Sequence, residues 1–245
     1  MKLTFCITSF ISAITLIPLT DVKAQSKMIK DIPLPDGYVR IPVPEHSFGA
    51  YLRTIQLKND NTVYLYNGMP KANQNAHYAV LDISVGNKDL QQCADAVMRL
   101  RAEHLKQQQK PICFTDNAGK KYCWAYHYSK GWQNYLNLVF SWCGTLSLQK
   151  ELMPISWQKV KPGDVIIKGG SPGHAVIIVD MARHKTNGNF IFLLAQSYMP
   201  AQMIHVLLNK NERSLNPWYS VPSELLITPE WTFSSSQLHT WPKPD

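Results

Sequence analysis

Apolar residues recur at three- and four-residue steps in one stretch above all. Leu90, Cys93, Ala94, Val97, Leu100 and His104 share a face, which predicts an amphipathic helix over 90–108. Asp89 reads as its cap, with Gln92 three residues on as the capping-box partner, so Cys93 becomes the fourth helical residue. Two continuous apolar runs, Val176-Ile177-Ile178-Val179 and Phe190-Ile191-Phe192-Leu193-Leu194, predict buried strands within 163–182 and 189–199. Residues 50–85 read as strands: Thr62-Val63-Tyr64-Leu65-Tyr66 runs into the turn signal Asn67-Gly68, and the run resumes from Tyr78 to Val85. Residues 132–152 hold helical segments broken near Gly144. Residues 25–46, with Pro33, Pro35, Pro42 and Pro44, form an extended arm too proline-rich for a central strand. From Pro217 on, Pro222, Pro229, Pro242 and Pro244 mark a tail of loop and short elements. Helices segregated from an antiparallel sheet define an α+β domain.

The amino terminus reads as targeting rather than structure. Lys2 precedes the apolar run Leu3 to Leu19, and Val22-Lys23-Ala24 resembles a cleavage site. The expected organisation is a signal peptide over 1–24 and a single α+β domain over 25–245, exported to the periplasm or secreted. No later stretch is apolar enough to span a bilayer. The chain is 45% hydrophobic and 17% charged, which excludes a disordered or coiled-coil protein. Its net charge is +8; losing Lys2, Lys23 and Asp21 with the leader leaves +7, suited to an anionic cell wall or membrane surface. Gly169-Gly170 lacks the Gly-Lys-Ser/Thr of a phosphate loop, so no nucleic-acid partner is expected, and no cofactor is.

Export changes the reading of the cysteines. Cys6 leaves with the leader, and Cys93, Cys113, Cys123 and Cys143 remain, which allow three full pairings. Cys113 and Cys123 flank the turn-like Thr115-Asp116-Asn117-Ala118-Gly119, where a local bridge fits. Candidate chemistry gathers at Lys161-Pro162-Gly163-Asp164-Val165-Ile166-Ile167-Lys168-Gly169-Gly170-Ser171-Pro172-Gly173-His174-Ala175. A histidine at a strand mouth beside glycines opens onto a cleft and can move a proton near neutrality.

That Gly-Asp, apolar run, short loop and Gly-His resemble the histidine motif of NlpC-type cell-wall endopeptidases, which are papain-like cysteine hydrolases. The likeness covers about twenty residues. It implies a histidine opening a strand of an antiparallel sheet, a nucleophilic cysteine opening a helix packed on it, and a third polar residue from the neighbouring strand. Cys93 is the candidate nucleophile, since a thiolate near a helix start gains from the dipole and from a nearby imidazolium. The chain departs from that family: Gln92-Cys93-Ala94-Asp95 replaces Asp-Cys-Ser-Gly, and the spacing from Cys93 to His174 is longer than usual. Cys93 can equally be a buried small hydrophobe. Cys123, before Trp124, and Cys143, before Gly144, fit disulfide or packing roles better.

The third residue depends on register. With a five-residue loop, Arg183 to Asn187, His174 faces Gln196, which orients the imidazole. With a tight Asn187-Gly188 turn it faces Ala201, and Gln202 is the substitute. A metal set of His174, Asp180 and His184 fails on distance, because His174 and Asp180 lie about 20 Å apart along a strand. The expected function is an amide-cleaving cysteine hydrolase acting on a cell-wall peptide, with Cys93, His174 and Gln196 as catalytic residues. The competing class is a non-catalytic envelope module, with Trp124, Tyr126, Tyr128, Trp132, Tyr135 and Trp142 stacking on glycans or peptides.

Longer blocks carry a second resemblance: Ser47-Phe48-Gly49-Ala50-Tyr51-Leu52-Arg53, Asp89 through Glu103, Gly144-Thr145-Leu146-Ser147-Leu148, Gly169 through Ala175, and Leu194 through Gln202. They resemble the signature of an exported bacterial family, domain of unknown function 4846. The likeness covers most of the mature chain and implies kinship without chemistry. It also implies that Cys93, and not Cys113, Cys123 or Cys143, is the signature cysteine.

Overall fold

The computed structural model describes Met1, residues 27–125 and residues 131–242. The expected signal segment after Met1, and Tyr126 and Tyr128, lie outside the described residues. The strands are β1 (Tyr38–Arg40), β2 (His77–Val80), β3 (Ile112–Thr115), β4 (Lys121–Trp124), β5 (Met153–Pro154), β6 (Val165–Lys168), β7 (His174–His184), β8 (Phe190–Gln196), β9 (His205–Leu207), β10 (Tyr219–Ser220), β11 (Leu225–Ile227), β12 (Thr232–Ser234) and β13 (Leu238–Thr240). The helices are α1 (Phe48–Arg53), α2 (Cys93–Gln107), α3 (Trp132–Trp142) and α4 (Thr145–Glu151). The chain is an α+β protein whose main sheet runs β2-β9-β8-β7-β6-β13-β5, with β1 added to β7 and β10 to β8, all antiparallel. None of the described helices is long and apolar enough to cross a membrane.

β7 is the spine. Its apolar run is buried on both faces, which is why it reads as continuous rather than alternating. Ala175, Ile177 and Val179 join the core beneath α2, with Val97, Leu100 and Ile112. Val176, Ile178 and Met181 join a second core with Phe192, Leu226 and Phe233. A bulge between Ile178 and Asp180 breaks the period of two, so Val179 and Ala182 reach the same core at an odd spacing.

The bulge carries the fully buried carboxylate of Asp180. Arg40 Nε of β1 reaches one oxygen at 2.7 Å and Arg53 Nε of α1 the other at 2.6 Å. The guanidinium groups also donate to backbone carbonyls of Ile32 (2.6 Å) and Ile41 (2.8 Å). A buried anion between two cations thus ties the proline-rich arm and α1 to the far end of β7.

Several expectations are corrected. Residues 50–85 are not mainly strands: 48–53 is helical, and Thr62 to Tyr66 makes only isolated bridges, Tyr64 with Pro70 and Leu65 with Gln202. β-branched and aromatic residues there found no long partner strand, and β-propensity acts only through such neighbours. The proline-rich tail is loop with short elements, as expected, and one of them, β13, lies between β6 and β5.

Replacing Asp180 by Ala leaves two arginines without their carboxylate. The expected cost is about 3–5 kcal/mol, measured by urea unfolding; a loss below about 1 kcal/mol would show that the triad does not hold the arm.

Candidate functional site

Cys93 is the first residue of α2, not the fourth. The helix starts later than predicted because the Gln92 N–H donates to Asp95 Oδ2 (2.9 Å), a box three residues further along than the expected one. Asp89 is occupied elsewhere, accepting from the Ala201 N–H at 2.6 Å and so tying the loop after β8 to the helix entrance. The first-turn N–H groups of a helix have no partners within it. Those of Cys93 and Ala94 face the sulfur, as does the Ala175 N–H of β7, and all three favour the thiolate. Burial opposes them, aided by nearby Asp95, and the thiol is pushed up to about 11.

The sulfur therefore sits against the start of β7, at the Ala175 N–H. Cys93 and His174 line one cavity of about 480 Å³, walled also by Asp95, Phe140, Cys143, Thr145 and Tyr198. The loop between β6 and β7 is held against α4, with Thr145 Oγ1 donating to Gly170 O at 3.1 Å. Gly173 is required there, since a Cβ would lie 2.5 Å from Thr145 Oγ1.

His174 is 1% exposed. Tyr198, Trp231 and Phe233 surround its ring at 4.8, 5.2 and 5.7 Å between centroids. This desolvation drives its pKa down to about 4, against the hydrogen bond to Gln196 Oε1 and the charge of Glu230, which work upward. At neutral pH thiol and imidazole are thus both uncharged.

Gln196 is brought to His174, as expected, but in neither predicted register. Ile177 pairs with Ala195 and Ile178 with Leu194, an offset two residues from the five-residue-loop alignment. An even offset keeps the same face, and the diagonal neighbour stays in reach. Gln196 Oε1 and His174 Nε2 are 2.8 Å apart. Gln202, the alternative, is directed to Pro200 O instead.

The sequence reading missed what lies behind Gln196. Its Nε2 donates to Glu230 Oε2 at 2.8 Å, and Lys71 Nζ reaches the same oxygen at 2.6 Å. Glu230 and Lys71 are 159 residues apart in sequence, and neither belongs to a local motif. The aromatic wall of Trp231 and Phe233 comes from the same tail as Glu230.

The other candidates have separate duties. Cys113 and Cys123 are disulfide-bonded across β3 and β4, as the local spacing suggested, whereas Cys93 and Cys143 are free. Trp124, Trp132 and Tyr135 pack on each other at 5.1 to 5.5 Å, so they form a core cluster rather than a stacking platform. Trp142 remains 60% exposed. Asp180 is held by its arginines, and His184 packs edge-on against Tyr38. Among the described residues no group of three or more His, Cys, Asp or Glu is placed to hold a metal ion.

Comparison with known proteins gives kinship. The family described as domain of unknown function (4846) matches residues 28–132 and 117–240. The chain belongs to that family. No curated protein and no solved structure matches it.

Replacing Trp231 by Ala admits water to the His174 ring. The imidazole pKa is expected to rise from about 4 toward the ordinary 6.5, followed by NMR titration. An unmoved value would show that Trp231 is not the source of the desolvation.

Proposed function

We propose that the chain is a papain-like cysteine hydrolase of NlpC type, exported to the periplasm or secreted, that cleaves amide bonds in cell-wall peptides. One observation carries this reading: a cysteine opening a helix and a histidine opening a strand line the same cavity, and the histidine is hydrogen-bonded to Gln196. The NlpC-type resemblance of the His174 loop supplies the substrate class, and the apolar leader supplies the destination.

Each residue then has a defined task. His174 Nδ1, the nitrogen left over by the Gln196 bond, takes the Cys93 proton as sulfur attacks the carbonyl carbon. The tetrahedral oxyanion is stabilised by N–H groups at the start of α2 that have no partner within the helix, Cys93 and Ala94 being the nearest to sulfur. Collapse expels the amine, which receives the proton from His174, and leaves a thioester on Cys93. His174 then deprotonates water, which attacks the thioester carbonyl; the acid departs and sulfur recovers its proton. A neutral resting pair suits a mechanism in which proton transfer accompanies attack, rather than one starting from a preformed thiolate.

Two outcomes test the proposal with a peptidoglycan stem-peptide fragment as substrate. Cys93→Ala is expected to abolish turnover while leaving the fold intact by circular dichroism; retained activity would end the assignment. The kcat/KM profile is expected to fall on its acid side with a limb at pH about 4, because the base must be neutral and His174 gains its proton only there. An acid limb near 6.5 would place the essential base elsewhere.

A further inference from the structure

The buried amide of Gln196 has two ends that differ only in chemistry, and its neighbours decide which end faces His174. Its nitrogen side meets Glu230 Oε2 at 2.8 Å. A carboxylate only accepts, so the amide must present N–H there; reversed, it would set oxygen against oxygen. The same nitrogen lies 3.5 Å from His205 Nε2. His205 Nδ1 is 2.9 Å from Met203 O, a pure acceptor, so Nδ1 carries the His205 proton and Nε2 is a lone pair. Both neighbours of the amide nitrogen are therefore acceptors. The amide oxygen is left for His174, and His174 Nε2 must carry its proton.

We infer that Glu230, held by Lys71, is a positioning residue that fixes the tautomer of His174 through Gln196, keeping the Nδ1 lone pair for the cavity. Lys71 Nζ at 2.6 Å and Asn73 Nδ2 at 3.3 Å anchor the two oxygens of Glu230. The carboxylate is thereby brought from the turn between β11 and β12 to the end of β8. Glu230 touches no cavity atom in this role; it acts only through the amide. The catalytic meaning of this control rests on the hydrolase reading, but the control itself does not.

The test is the ¹⁵N–¹H spectrum of the histidine rings. In the unaltered protein His174 is expected as the Nε2–H tautomer and His205 as the Nδ1–H tautomer; His174 with its proton on Nδ1 overturns the inference without any variant. Removing Glu230 alone would leave the buried Lys71 unpaired, so the pair is replaced together as Lys71→Met with Glu230→Leu, an apolar exchange that buried ion pairs commonly tolerate. In this variant only the longer 3.5 Å contact with His205 Nε2 opposes reversal of the amide. A second His174 tautomer, protonated on Nδ1, is expected, with alkylation of Cys93 by iodoacetamide slowed roughly tenfold at pH 7. Glu230→Gln keeps an acceptor oxygen and should retain the native tautomer. A folded double variant whose His174 remains wholly Nε2–H refutes the proposal, and a merely structural ion pair would give that result. If the tautomer responds while Cys93→Ala still hydrolyses the peptide, the positioning stands and the hydrolase reading falls.

Discussion

A primary amide enclosed between an imidazole and a carboxylate has one satisfied orientation, and much of the architecture serves to create that enclosure. Gln196 ends β8, His174 begins β7, Glu230 comes from the turn between β11 and β12, and Lys71 from the segment before β2. Four remote parts of the chain converge on one side chain. Each polar group there would be costly to bury alone, because an unpaired donor or acceptor loses its water without replacement. Together the groups complete one another, so the network specifies how the hairpin closes over the end of the sheet.

The apolar wall belongs to the same closure. Trp231 and Phe233 lie on either side of Thr232, beside Glu230, so one short hairpin supplies both the anchor of the amide and the desolvation of the ring. Low polarity strengthens the bonds of the network and disfavours charge on His174. The thiol meets similar conditions at the head of α2, where backbone N–H groups pull toward the anion and burial pulls away, with burial prevailing.

The strong periodic signals were legible. The amphipathic run at 90–108 and the apolar runs around 176 and 190 became α2, β7 and β8, because patterns that long admit few alternatives. The break near Gly144 and the local cystine were also readable. Competition among hydrogen-bond partners was not. Asp89 looked like the helix cap, yet Ala201 claims it from across the fold, and Asp95 takes over. The register of β7 on β8 turned on a bulge at Ile178–Asp180 that leaves no sequence mark. Cys93 and His174 could be named because their motifs are local, and Gln196 because a register two residues off still keeps it on the same face. Lys71, Glu230 and Trp231 could not, since their contribution exists only after distant segments meet.

Both ends of the described chain are woven into the main sheet. β1, near residue 38, lies along β7, while β13, ending at residue 240, lies between β6 and β5. Until β13 is in place β5 has no neighbour in the sheet, and until residues 225–234 have folded the hairpin that encloses His174 is missing. Sheets closed by such remote pairings assemble slowly, since loop entropy must be met before contacts reward it. Closure of the pocket therefore waits on pairings that span nearly the whole described chain.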